Sequence, residues 1–397
     1  MPSQTTASAR IYSIDILRGA VMIIMALDHV RDFFHFTAAT DSPTNLASTT
    51  PALFFTRWIT HFCAPVFVLL AGISASLMSR KRTRPQLSLF LIKRGLWLIG
   101  VEVLLVTFAW TFNPFYNVFI LQVIWAIGIS MIILGIFIRY SSRQVILLAG
   151  LIIICCHNLL DFPEAAGKGN IGFFWNLAHH AAFTVYPVFP NHEVIIVYAF
   201  LPWTGIMMTG FGIGKIFSNE VRSGLRRRIL FSSGFALLLL FFILRFINAY
   251  GDPVAWSVQR TPVFTLLSFL NVTKYPPSLD YIGITIGTAL IVLGLLEKVS
   301  GKSLKFLITF GRVPFFYYVV HLYLIHLTVF VFFILEKFPS KDIAAQSLPF
   351  YFRPDRFGFN LWIVYGIWAA IIPMIYPLCR WYNRYKSTHY HWWLSYL

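Results

Sequence analysis

The stretch Ser13-Ile-Asp15-Ile-Leu-Arg18-Gly19-Ala-Val-Met-Ile-Ile-Met-Ala-Leu-Asp28-His29-Val-Arg31-Asp32-Phe-Phe-His35 decides how the chain is read. It is apolar over a length that fits a membrane-crossing helix, yet it carries seven ionisable residues. Arg18 and His29 are eleven residues apart, and eleven steps of about 100° return to nearly the same helix face about 16 Å further along the axis. One stripe therefore holds a cation near its start and an imidazole near its end. Asp32 lies one turn beyond His29 and is placed to orient the ring, while Asp28 and His35 form a neighbouring stripe. Ser13 is a candidate helix cap, and Asp15 faces Arg18 three residues on. A polar helix end with a snorkelling arginine is the plainer reading, but five ionisable residues between Asp28 and His35 exceed what a helix end requires.

The remainder of the chain has the same character. Of its 397 residues, 58% are apolar, 18% aromatic and 12% charged, about half the charged share of a soluble domain. That composition excludes disordered and fibrous proteins and predicts an all-α, polytopic membrane protein forming a single domain over 1–397. Ten spans are expected, at 13–36, 52–78, 87–111, 117–138, 144–161, 193–214, 229–250, 279–297, 305–335 and 359–379. The ninth is long enough to be tilted or broken in two, which allows eleven. The first span is read as retained rather than as a cleaved signal, because no small-residue cleavage site follows it. No internal repeat is visible, which disfavours repeat-built transporter folds.

The net charge of +17 would suit nucleic acid only if the basic residues shared a solvated face. They fall instead between the apolar runs, so no nucleic-acid partner is expected and the bilayer is the partner that composition implies. With the N-terminus inside, 20 of the 32 Lys and Arg lie in inner segments and seven in outer loops. Both ends are therefore expected in the cytoplasm, in an inner, multi-pass membrane location. The outer loops 162–192, 251–278 and 336–358 are the long ones, rich in proline and aromatics, and together they could wall an outward-facing cavity.

Further ionisable groups enter other spans. Arg57 and His61 lie one turn apart at the expected depth of His29, and Glu102 is deep enough to need a partner. The ninth span carries Arg312 near its start and His321 and His326 further along, repeating the layering of the first, with Arg94 at the inner rim of the third. His179-His180 could bind a metal but has no third ligand at helical or Cys-x-x-Cys spacing, so no metal is expected. The four cysteines read as small buried hydrophobes. Gly210, Gly212 and Gly214 read as close helix packing, since no strand precedes them.

At these residues the chain resembles a family. Arg18-x10-His29 in a first membrane helix is a hallmark of transmembrane acyltransferases, and Ser13-Ile-Asp15-x-x-Arg18-Gly19 resembles the heparan-α-glucosaminide N-acetyltransferase catalytic-domain family and its bacterial relatives of the DUF1624 type. Arg57-Trp-Ile-Thr-His61-Phe-Cys-Ala-Pro65, Arg94-Gly-Leu-Trp97, Pro276-Pro277-Ser278-Leu279, Phe310-Gly-Arg312-Val-Pro314 and Tyr318-x-x-His321 extend it over most of the chain. The resemblance implies acetyl or acyl transfer from cytosolic acetyl-CoA, a substrate rather than a resident cofactor, to an amine or hydroxyl of a sugar or glycan across the membrane. On that expectation Arg18, Arg94 and Arg312 hold the CoA phosphates, His29 is the general base oriented by Asp32 or Asp28, and His61 and His321 complete the pocket. The lysosomal enzyme of the family has asparagine at the place of His29, with its histidine further along, so His35 stands as the alternative base. A transporter or flippase for a small anion or lipid-linked sugar is the rival class, using the same groups as a path. The sequence leaves a homodimer open.

Overall fold

The computed structural model describes residues 11–166, 172–181, 183–299, 304–344 and 347–395. Helix α1 (Tyr12–Phe34) starts without a side-chain cap. Ser13 lies inside the helix, not at its cap, and donates instead to Glu297 Oε1 at 2.7 Å. The next span is α2 (Pro51–Thr60) followed by α3 (Cys63–Met78), with Thr50 capping α2 and Pro51 at its first turn. Pro65 has no N–H for the His61 carbonyl four residues back, and that carbonyl accepts from the Tyr281 hydroxyl at 2.7 Å.

Helix α4 (Arg84–Val101) opens on a Thr83–Gln86 capping box and runs through a π-helical turn, Glu102–Val106, into α5 (Thr107–Thr111). Strand β1 (Val118–Leu121) leads to α6 (Val123–Tyr140) and α7 (Arg143–Cys156), then to the short α8 (Asp161–Ala166) and α9 (Phe173–Trp175). Strands β2 (Thr184–Phe189) and β3 (His192–Ile196) precede α10 (Phe200–Ile213), α11 (Ser223–Ile247), α12 (Pro262–Leu270) and α13 (Leu279–Leu296). The chain closes with α14 (Lys305–Arg312), α15 (Pro314–Leu335) and α16 (Leu361–Thr388). Among the described residues, seven helical stretches are long and apolar enough to cross a membrane: α2–α3, α6, α7 with α8, α11, α13, α15 and α16. This is an all-α, multi-pass membrane architecture.

The other three expected spans are helical but differ in instructive ways. Helix α1 carries too many charges for an apolar window, α4 meets the π turn, and α10 has only 14 residues because the apolar run before it forms β3. Likewise the start of the expected 117–138 span is β1. Runs such as Val-Phe-Ile-Leu and Glu-Val-Ile-Ile are apolar enough for either state, and their β-branched content suits a strand. The three strands form one sheet in the order β1-β3-β2, with β1 parallel and β2 antiparallel to β3. The long ninth span breaks at Val313, where Pro314 starts a new helix.

Helix α1 is central and packs on α2, α3, α13, α14, α15 and α16. Its crossing with α14 is a backbone contact: a Cβ on Gly19 would lie 1.9 Å from the Leu307 carbonyl oxygen, and one on Gly311 would lie 1.9 Å from the Asp15 carbonyl oxygen. Gly210 presses on the Leu69 backbone in the same manner, while Gly212 and Gly214 meet the side chains of Leu147 and Ser76. Gly19→Ala is therefore expected to lower the thermal midpoint of the detergent-solubilised protein, at a cost of about 1–3 kcal/mol or more. Gly100→Ala, which meets nothing within 4 Å, should leave it unchanged. Equal melting of the two variants would contradict the crossing.

Candidate active site

Beyond the C-terminal half of α1 lies a cavity of about 710 Å³. Its walls come from α1, α2, α3, the sheet, and the loops carrying residues 38–44, 271–275 and 347–350. His29, Asp28, Arg31, Asp32, Arg57, His61, Trp110, Tyr198, Lys274 and Tyr275 line it. His321 stands directly behind His29.

Hydrogen bonding sets the tautomers of this histidine pair. A backbone carbonyl can only accept, so His321 Nδ1–H donates to the Tyr317 carbonyl at 3.0 Å. His321 Nε2 is then an acceptor, and it faces His29 Nδ1 at 2.7 Å. With both rings neutral, His29 then donates from Nδ1, which leaves its Nε2 with a lone pair on a ring that forms part of the cavity wall. The two rings are nearly coplanar and meet edge to edge, with centroids 4.9 Å apart, and Trp110 packs T-shaped on His29 at 5.0 Å. Asp28 and Asp32, expected to orient His29, do other work. Asp28 lies between Arg31, at 2.8 Å, and Arg57, at 2.5 Å, and Asp32 is paired with Arg31. The orienting partner is a neutral imidazole in place of a carboxylate.

Other sequence-derived candidates fall into two groups. His61 reaches the cavity, and its buried Nδ1 has no hydrogen-bond partner. His35 does not line it: His35 caps the end of α1, its Nδ1 lies 2.9 Å from the Thr37 hydroxyl, and its carbonyl accepts from buried Arg353 at 3.2 Å. His326 joins the carbonyls of Ala109 and Tyr351 and is a structural pin. Glu102 finds its partner at a helix start, accepting from the Gln122 N–H at 2.8 Å where α6 begins.

The arginines expected at the other end of α1 lie outside the cavity. Arg18 donates to Ser74 Oγ at 3.0 Å and to the Gly311 carbonyl at 3.2 Å, a carbonyl at the break before α15. Arg18 and Arg312 each lie 3.8 Å from Asp15. Arg94 is one turn before Trp97, whose ring packs on Phe315 just past the break.

Lys274 is a cavity residue with no signal of its own in the sequence, where it reads as an ordinary loop cation. It is buried beside the rings of Tyr275 and Tyr198, at 5.1 and 5.9 Å. Its loop is held by Asp252, which accepts from Thr273 N and from the Ser278 hydroxyl at 2.7 and 2.6 Å, while Ser278 caps α13. Burial pushes the Tyr275 phenol up, and the Lys274 and Arg57 cations outweigh it and hold it below its usual value. The signal in the sequence was adjacent, in Tyr275-Pro276-Pro277-Ser278.

A multi-pass membrane protein with a buried histidine pair opening on a cavity is the class that fold and site define. The chain belongs to the family described as heparan-alpha-glucosaminide N-acetyltransferase, catalytic, whose model matches residues 10–242, and it is thereby placed among membrane acetyltransferases. That match includes His29, Arg57 and His61 but stops before Arg312 and His321. A comparison with curated proteins finds no match.

Asp28→Asn would leave two buried guanidinium groups facing a neutral amide. A loss of about 3–5 kcal/mol is expected, read as a lower thermal midpoint in detergent. An unchanged midpoint would show that Asp28 does not hold Arg31 and Arg57 together.

Proposed function

We propose that the protein transfers an acetyl or other acyl group from cytosolic acyl-CoA to an amine or hydroxyl of a sugar or glycan on the outer side of the inner membrane, with its N-terminus in the cytoplasm. The observation that carries the proposal is the contact of His29 Nδ1 with His321 Nε2 on a histidine that lines the cavity, which reserves His29 Nε2 for a substrate proton. On this reading the acceptor lies in the cavity and donates its N–H or O–H proton to His29 Nε2 as its heteroatom attacks the thioester carbonyl carbon. The C–S bond breaks, and the CoA thiolate takes the proton back from the imidazolium to leave as free thiol. His321 acts through His29, keeping its Nδ1 proton in place and sharing the charge that develops. Transfer through an acyl-imidazole at the same nitrogen is the covalent variant.

Arg18, Arg94 and Arg312 would hold the CoA phosphates at the opposite end of α1, and Arg57 and Lys274 would contact the acceptor. Asp28 keeps Arg57 in place, and His61 contributes to the acceptor wall. The test is acetyl-CoA binding and free-thiol release by the purified protein with candidate sugar acceptors. Protein that neither binds acetyl-CoA nor transfers its acyl group would sink the enzyme reading in favour of a transporter.

His29→Ala should lower kcat about 10²–10⁴-fold with folding intact. His321→Gln should lower kcat less and displace the pH profile, which loss of packing alone would not do. Full transfer by a folded His29→Ala protein would move the base elsewhere, to His61 or His35. Lys274→Ala should raise KM for the acceptor, while Arg312→Ala should raise KM for acetyl-CoA. Coincident effects of the two on both constants would contradict the two-ended arrangement.

A further inference from the structure

The pair His179-His180 lacks a third ligand nearby in the sequence, and the fold supplies several. Asp161, Glu164 and His179 bring ligand atoms within 4.8 Å of one another. His157, at the end of α7, adds its Nδ1 at 3.2 Å from His179 Nε2. His157, Glu164 and His179 are buried. This cluster is separate from the His29 cavity and has no part in the proposed transfer.

The hydrogen bonds assign a role to each member. Carboxylates accept only, so His179 donates its Nδ1–H to Glu164 Oε1 at 2.5 Å, which leaves Nε2 with a lone pair aimed at His157. A carboxylate behind an imidazole is how metal-bound histidines are held, with the opposite ring nitrogen on the ion. Glu164 is further fixed by the Trp175 indole N–H at 2.6 Å and by His180 Nδ1 at 2.9 Å, so it serves as the outer support. Asp161 accepts from Asn158 through Oδ2 at 2.7 Å and retains Oδ1 for a cation. Two ligands on a tetrahedral ion with bonds of about 2.0–2.1 Å sit about 3.3 Å apart, which is close to the separation of the two facing imidazole nitrogens.

We infer that this cluster is a binding site for a divalent transition-metal ion of the zinc type, with His179 Nε2, His157 Nδ1 and Asp161 as ligands and Glu164 orienting His179. Mixed nitrogen and oxygen donors at this spacing favour such an ion over calcium or magnesium, which take all-oxygen sets. The ion would tie the end of α7 to the segment entering β2, whose Phe183 and Val185 line the cavity. Three protein ligands on packed elements, with water in the fourth position, would brace that wall.

The test uses the full chain in detergent, stripped with a chelator and titrated with Co2+ followed by Zn2+. One equivalent of Co2+ should bind with the visible absorption of a four-coordinate site, and Zn2+ should displace it. His179→Ala should abolish uptake, Glu164→Gln should weaken it about 10–100-fold, and His180→Ala should retain it. Where His179→Ala fails to give monodisperse protein, Asp161→Asn, which keeps side-chain volume, should weaken binding at least about tenfold. A parent protein that takes up no ion, or binding unchanged in the His179 and Asp161 variants, would overturn the site.

Discussion

An ionised side chain inside an apolar helix bundle must be met by a partner or remain outside the bundle, and α1 carries enough such side chains for that constraint to organise its surroundings. Each one selects a neighbour. Asp15 draws Arg18 and Arg312 to the start of the helix, Arg18 reaches across to Ser74 on α3, and Asp28 gathers Arg31 and Arg57 near its end. The partners arrive from α14, α3 and α2, so the helices that bury α1 are also those that neutralise it. Glycines make this reach possible: only where α1 and α14 touch backbone to backbone can Arg18 approach the Gly311 carbonyl.

The same constraint explains which parts of the site could be read from residue spacing. Arg18 and His29 belong to one helix, and their common stripe follows from helical geometry alone. A break in the ninth span is also within reach, because the run 305–335 is too long for one upright crossing and Pro314 lies inside it. Partners from other helices are not. Asp32 is well spaced to orient His29, yet Arg31 claims it, and the orienting group comes from His321, 292 residues away. Spacing reports neighbours on one helix and says nothing of who approaches from the next.

Strands β1 and β3 escaped for a different reason. An apolar run carries no periodicity that separates a strand from a short buried helix. Glu102 shows the intermediate case. Its need for a partner was plain from its depth, but the partner is the backbone N–H at the start of α6, which has no residue-type signature at all. Lys274 was hidden similarly, since only the Asp252 scaffold turns an ordinary loop lysine into a cavity cation.

Why a histidine and not an aspartate stands behind His29 follows from the charges already present. Asp28 is fully engaged by two guanidinium groups, and a second carboxylate against the imidazole would add an anion to a buried wall, where its desolvation is costly. A neutral imidazole sets the tautomer at no such cost, provided its own proton is fixed. Helix α15 fixes it through the Tyr317 carbonyl, one turn back on the same helix. The break at Val313 lets α15 take a course independent of α14. The N-terminal crossing can then be tight at Gly311 while His321 is still delivered to the far half of α1. The proline that interrupts the span thereby links the arginine end of the molecule to its histidine end.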